Sequence, residues 1–222
     1  MAKPKFFRDP IHLQVRFDPV DLSANAPTDN TALSWGALKL IDTGEFQRLR
    51  HIRQNGLANL VFYGAEHSRF NHSIGVHYVA RTMYERICRN HSEAESQHWK
   101  LSSGFASLIH DVGHGPFSHT LEEVLEDNGV DFNHEDMTIR FVKEDTSGIN
   151  KILKQIDADL PNSIAAFFDK QARASDNWAY KIVSSQLDAD RLDYVQRDSM
   201  FAGLRGHGFD FERLACCRFH GH

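Results

Sequence analysis

Three short stretches carry side chains suited to chemistry, and the richest is His110-Asp-Val-Gly-His-Gly-Pro-Phe-Ser-His119. A His-Asp pair arises by chance in a chain with 14 histidines, so the surroundings carry the signal. Three histidines and an aspartate flank a Gly-Gly-Pro break, and such a break lets a helix end gather neighbouring side chains at one point. The spacing puts His110 and His114 on one helical face. Imidazole nitrogen mixed with carboxylate oxygen suits a borderline or hard divalent cation. The bland alternative is a helix terminus with capping histidines. In Arg69-Phe-Asn-His72-Ser-Ile-Gly-Val76, His72 lies on an apolar helical face. A lone histidine there is more often a hydrogen-bonded core residue than a ligand. Arg69 sits one turn earlier, and arginine beside a metal histidine points to an anionic substrate, because the two cations can share phosphate oxygens. In Leu187-Asp-Ala-Asp-Arg-Leu-Asp-Tyr-Val-Gln-Arg-Asp198, helical spacing puts Asp190, Arg191, Tyr194 and Asp198 on one stripe. That stripe reads as an exposed ion-pair face. It reads equally as a pocket wall offering a metal carboxylate, a phosphate cation, a stacking ring and a hydroxyl acceptor.

The elements that must position these residues are mostly helical. Four of the six prolines (Pro4, Pro10, Pro19, Pro27) fall in the first 35 residues. There, Ile11-His-Leu-Gln-Val-Arg-Phe17 alternates as a small strand or hairpin would. Residues 21–31 read as a loop. From Trp35 the pattern turns helical. Leu38, Ile41, Phe46, Leu49 and Ile52 fit a helix or helix pair broken near Gly44, and His72, Val76, Val79, Met83 and Ile87 keep one face. Leu101 to His110 is another apolar helix. A new one starts at Ser118 or Thr120, where Thr120-Leu-Glu-Glu123 has capping-box spacing. Residues 144–163 are polar and loosely patterned, and residues 164–200 read as one or two helices. The fold class expected is all-α, with a small β-hairpin at the front.

Composition excludes several function classes. The net charge of −5 disfavours broad nucleic-acid binding, which needs a basic surface. The start of the chain lacks the apolar run of a signal peptide, and no apolar stretch approaches a membrane span. Cys88 and the adjacent Cys216 and Cys217 form neither a CxxC pair nor an even framework. That fits a reducing, cytoplasmic setting.

Taken together, the order His72 … His110-Asp111 … Asp190 resembles the HD superfamily of metal phosphohydrolases. Five words occur in sequence order: Asp9-Pro-Ile-His12, Asp42-Thr-Gly-Glu-Phe-Gln-Arg-Leu-Arg50, Arg69 to Val76, His110 to His119, and Asp188-Ala-Asp-Arg-Leu-Asp-Tyr194. They are similar to the deoxynucleoside triphosphate triphosphohydrolase branch of that superfamily, across most of residues 8–214. The resemblance implies a helical HD core in which His72, His110, Asp111 and Asp190 hold a divalent metal: iron, zinc, manganese or magnesium. It implies that His114 and His119 face the phosphates. His134 matches a histidine paired with an acid, and Glu122 stands where that acid is usually aspartate. Arg69 and Arg191 match phosphate cations, Tyr194 and Asp198 match sugar contacts, and Gln54 matches a residue near the sugar 3′-hydroxyl. The implied substrate is a nucleotide, cleaved to deoxynucleoside and triphosphate, and the family implies a homo-oligomer.

Three features depart from the family pattern. Residues 20–34 form an insertion, Leu13 replaces the usual glycine, and Asn55-Gly56-Leu57 replaces the apolar-glycine sequence that screens the sugar 2′-position. The chain ends at His222, where family members continue into a further helical lobe. The expected organisation is therefore a single HD domain over 1–222, with strands and loop insertion in 1–35, the helical core in 36–214, and that lobe absent. Two competing functions stand beside the leading one. The same site could act on another phosphoester (a nucleoside mono- or diphosphate, a signalling nucleotide or a nucleic-acid end), or the chain could be a nucleotide-binding sensor without turnover. An intact ligand set accompanied by His114, His119 and His134 argues against the sensor.

Overall fold

The computed structural model describes residues 3–27, 31–175 and 177–204. The tail of the expected core (205–214), part of the expected insertion and the Cys216-Cys217 pair lie outside the described residues. Strands β1 (Lys5–Asp9) and β2 (Leu13–Phe17) pair antiparallel, with Lys5 opposite Phe17 and Asp9 opposite Leu13. Val15 and Phe17 face the core, as the alternation predicts. Leu13 takes a left-handed φ of 59° and leaves its side chain 80% exposed. That conformation costs an L-residue about 1–2 kcal/mol, against about 0.5–1 kcal/mol for glycine's extra chain entropy. Leu13→Gly should therefore raise the thermal midpoint slightly. A lowered midpoint would show that the leucine packs against something.

The helices follow: α1 (Ala32–Ile41), α2 (Gly44–Gln47) running on into a 3₁₀ turn over Arg48–His51, α3 (Arg69–Asn90) and α4 (Gln97–Ile109). Then come α5 (His119–Asp127), α6 (His134–Lys143), α7 (Gly148–Ile156) and α8 (Leu160–Ala165). The described part closes with α9 (Lys170–Arg173), α10 (Trp178–Val183) and α11 (Ala189–Phe201). The long helix α3 packs against α4 and α11, and α4 packs in turn against α1, α8 and α10. Most of α4 is buried, including Phe105, Leu108 and Ile109.

Several sequence expectations need correction. The first helix begins at Ala32, ahead of Trp35 and of the expected core boundary at 36, because Leu33 and Ser34 are buried with Trp35. Within 144–163, α7 is a regular helix: Ser147 caps it, and Ile149 and Leu153 insert into the core between polar neighbours. The stretch 164–200 holds the end of α8 and three further helices. Side chains of Asp169, Asn177 and Asp188 each accept a backbone N–H and restart the helix, so caps cut what the apolar pattern joined. Among the described residues no helix is long and apolar enough to cross a membrane.

His77 on α3 is fully buried, with Nδ1 2.7 Å from the Gly104 carbonyl and Nε2 without a partner among the described residues. Burial first, then the Arg81 charge, push its pKa down to about 3. A free imidazole titrates near pH ~6.5, so the unfolded chain takes this proton first. Stability from the neutral ring is complete above that pH and is lost as pH falls toward the folded value. At about pH 5 the loss comes to roughly 2 kcal/mol. Urea midpoints should drop between pH 7 and pH 5, and less so in His77→Gln. An equal drop in both proteins would remove His77 as the cause.

Candidate active site

The first turn of α3 carries Arg69 and His72, the end of α4 runs into His110-Asp111, and the first turn of α11 carries Asp190. His72 Nε2 lies 2.9 Å from Asp190 Oδ1 and 3.8 Å from Asp111 Oδ2. His110 Nε2 lies 3.3 Å from His72 Nε2, 3.3 Å from Asp111 Oδ1 and 3.6 Å from Asp190 Oδ1. The donor atoms of His72, His110 and Asp190 all fall within 4.8 Å of one another. Each imidazole is aimed by its other nitrogen: His72 Nδ1 is 2.7 Å from Asp193 Oδ2, and His110 Nδ1 is 2.9 Å from the Ser107 carbonyl. Such partners fix which nitrogen faces a metal.

The electrostatics ask for a cation. Burial works against a charged His72, yet the Asp190 and Asp193 carboxylates overcome it and hold its pKa up to about 10. His110 is raised against its own burial by Asp111 and Asp190. Asp111 is buried too, but the Arg69 guanidinium at 2.7 Å and the surrounding histidines hold its carboxyl well below the usual range. Two imidazole nitrogens facing each other among carboxylates need positive charge between them, as a proton or as a metal. Mixed N/O donors of this kind fit zinc, iron or manganese.

Beyond the end of α4 the chain turns, so His110 and His114 do not share a helical face as the spacing suggested. His114 instead swings back to put Nε2 3.4 Å from Asp111 Oδ1. Arg48 secures this turn by donating to the carbonyls of His114 and Val112. Gly113 lets α6 press against it, since a Cβ there would meet the His134 carbonyl oxygen. Phe117 and Ser118 both adopt left-handed φ, 65° and 55°, which is costly for non-glycine residues and gathers at functional sites. Ser118 Oγ spends itself on Arg69 Nε, 2.9 Å away. The helix therefore starts at His119 without a side-chain cap, and the capping box at Thr120 does not form.

Glu122 faces two histidines. Its Oε1 is 2.7 Å from His134 Nδ1 and its Oε2 is 3.1 Å from His119 Nδ1. Despite burial, those two rings draw its pKa down. His134 stacks on His114 with centroids 3.9 Å apart and planes 13° from parallel. Burial, helped by the Arg69 charge and opposed by Asp111, pushes His114 down to about 2, so its ring is neutral. Donor atoms of His114, His119, Glu122 and His134 also fall within 4.8 Å. Stacked rings project their lone pairs along nearly parallel lines, so one ion cannot lie in both planes. The arrangement suits proton handling better than a second metal.

Both groups open onto one cavity of about 460 Å³. Gln54, Arg69, His110, Asp111, His114, His119 and His134 line it together with Asp190, Arg191, Tyr194 and Asp198 from α11. Of the residues singled out in sequence, His72 and Glu122 stand behind this lining. Asp198 is held by His67 Nε2 at 2.7 Å, and the buried Gln54 Oε1 has no partner among the described residues. Arg69 is already committed to Asp111, Ser118 and, at 3.2 Å, the Gln54 carbonyl. Sequence reasoning missed Asp193, the Arg173–Glu135 pair at 2.8 Å on the cavity wall, and the anchoring role of His67. Asp193 sits inside a quoted word, but nothing in its spacing says that it points at His72.

The HD domain profile matches residues 69–198, the span from Arg69 to Asp198 that supplies most of this cavity's lining. The chain is 37% identical over 214 residues to the uncharacterised protein YwfO of Bacillus subtilis, covering 96% of this chain and 44% of that protein. It is 37% identical over 186 residues to the deoxynucleoside triphosphate triphosphohydrolase SAMHD1 homolog of Dictyostelium discoideum, covering 80% and 35%. Among solved structures, a hypothetical protein from Aquifex aeolicus superposes with a TM-score of 0.72 at 32% identity, covering 96% of this chain and 50% of that one. A phosphohydrolase from Bacteroides thetaiotaomicron gives 0.70 at 27%, covering 96% and 46%. The chain thus spans half or less of the length of these relatives. With the family profile matching over the very residues that converge here, the chain belongs to the HD-domain family.

Proposed function

We propose that residues 1–222 form a single HD domain that hydrolyses deoxynucleoside triphosphates to deoxynucleoside and triphosphate. The observation that carries this reading is the contact between the two groups. The His72/His110/Asp111/Asp190 set and the His114/His119/His134/Glu122 set meet at Asp111 and His114, 3.4 Å apart, in one cavity. The first set would hold the divalent ion, which supplies Lewis acidity toward a phosphoryl oxygen and acidifies water. Water oxygen bonds to the α-phosphorus as the bond from phosphorus to the sugar 5′-oxygen breaks. His134, oriented by Glu122, and His119 beside it hold the proton that the departing oxygen takes. Arg191, exposed at the cavity edge, and Arg69 behind Asp111 offset phosphate charge. Tyr194 offers a ring to the sugar, and Asp198 an acceptor to its hydroxyl. Gln54 lines the cavity and matches a residue near the sugar 3′-hydroxyl.

The named relative of Dictyostelium discoideum supports the choice of substrate. The test is a product assay with each deoxynucleoside triphosphate and Mn²⁺ or Mg²⁺, separating triphosphate from pyrophosphate and phosphate by ion exchange. Triphosphate should appear in step with free deoxynucleoside. Pyrophosphate or phosphate in its place would move the reaction to another phosphoester bond.

A further inference from the structure

The N-terminal hairpin lies outside the matched family span, yet one of its residues reaches the metal set through a buried carboxylate. Asp193 on α11 is fully buried and takes four hydrogen bonds. Its Oδ2 is 2.7 Å from His72 Nδ1 and accepts from Arg197 Nε at 2.7 Å. Its Oδ1 is 2.7 Å from His12 Nε2 and accepts from Arg197 Nη2 at 2.9 Å. Asp9, at the end of β1, completes the assembly. Its Oδ2 accepts from Arg197 Nη1 at 2.9 Å, while its Oδ1 accepts the backbone N–H groups of Ile11 and His12, both at 2.9 Å. The Asp9-Pro-Ile-His12 word thus folds the strand connection so that one carboxylate grips Arg197 and presents His12 to Asp193.

Gly75, one turn beyond His72 on α3, makes room for the whole group. A Cβ there would stand 2.1 Å from Asp193 Oδ1 and 2.4 Å from Arg197 Nη2. A carboxylate saturated in this way cannot rotate, and a ligating imidazole held by such a carboxylate cannot swing or change tautomer. We propose that His12 is a positioning residue of the metal centre: through Asp193 it fixes the direction in which His72 presents Nε2. The proposal rests on the reading of His72, His110, Asp111 and Asp190 as metal ligands, and it makes the hairpin part of the centre.

The test uses the full chain stripped by chelator and titrated with Co²⁺ alone, with binding followed by the visible absorption of the ion. His12→Ala should bind Co²⁺ about 10-fold more weakly than the parent, with an altered band, because outer partners of metal ligands contribute on that scale. His12→Gln, whose amide N–H can reach Asp193, should recover most of the affinity and the parent band. Should His12→Ala not fold, His12→Asn, polar but too short to reach Asp193, carries the same expectation. Phe7→Ala controls for general loosening. It removes the edge-on contact with Phe17 at 5.5 Å within the hairpin and should lower the melting temperature while leaving Co²⁺ affinity intact. Parent-like affinity and band in His12→Ala, or equal weakening in Phe7→Ala, would overturn the proposal. A parent chain that takes up no Co²⁺ would overturn the ligand reading itself, and the role of His12 with it.

Discussion

Asp111→Ala should lose the metal and, with it, turnover. Asp111 is 3% exposed and stands between the imidazoles of His72, His110 and His114 on one side and Arg69 on the other. Removing its carboxylate deletes one proposed ligand and negative charge that balances Arg69 and a cation together. Outer partners of metal ligands already contribute about 10–100-fold in affinity, so loss of a ligand should exceed that range. The alanine variant also leaves a buried guanidinium without its anion, which costs about 3–5 kcal/mol and risks the fold. Asp111→Asn keeps an acceptor for Arg69 and is the cleaner variant. Metal per chain by atomic emission, read beside circular dichroism, decides the matter: a folded Asp111→Asn with full metal occupancy would remove Asp111 from the ligand set.

His134→Ala should separate the chemistry from the metal. The ring touches no proposed ligand; it sits on His114 and bonds Glu122. The variant should keep its metal and still bind nucleotide, yet turn over about 10²–10⁴-fold more slowly, the span of a general acid–base group. Glu122→Gln should show a smaller loss, because it removes the charge that orients the imidazole and leaves the imidazole in place. His119→Ala belongs to the same series. Its side chain is 63% exposed and its bond to Glu122 is longer, so its effect should lie below that of His134→Ala. The pH–rate profile of His134→Ala should also lose a limb. Wild-type turnover with an unchanged profile in both histidine variants would leave this cluster without a role in proton transfer.

How much of this was legible in the sequence differs by residue. The four ligand candidates come from three distant helices, and no local spacing joins them; the flanking words did. The helical class and the front hairpin followed from periodicity, because apolar faces declare themselves wherever one side is buried. The second half of the chain was harder. Short helices there are set by single caps such as Asp169 and Asn177, whose effect is a backbone hydrogen bond and not a pattern. Thr120 and Glu123 looked like a capping box, and only the fold shows that the helix already starts at His119 and that Ser118 is occupied elsewhere. Asp193 was invisible for a plainer reason. An acidic residue in a charged helical stretch reads as solvated, and its burial depends on Gly75 making room on a helix more than a hundred positions earlier.

The stack of His114 on His134 limits what the cluster can store. Two imidazolium rings 3.9 Å apart would repel strongly, and the inner ring is already held neutral. In the proposed reaction the pair therefore works as a reservoir with room for a single proton, spent at each bond cleavage and refilled before the next. The exposed ring of His119 is the natural inlet from bulk water. Reprotonation through His119 would then contribute to successive turnovers, so a small buffer acid able to reach His119 should quicken the cycle wherever refilling is slow.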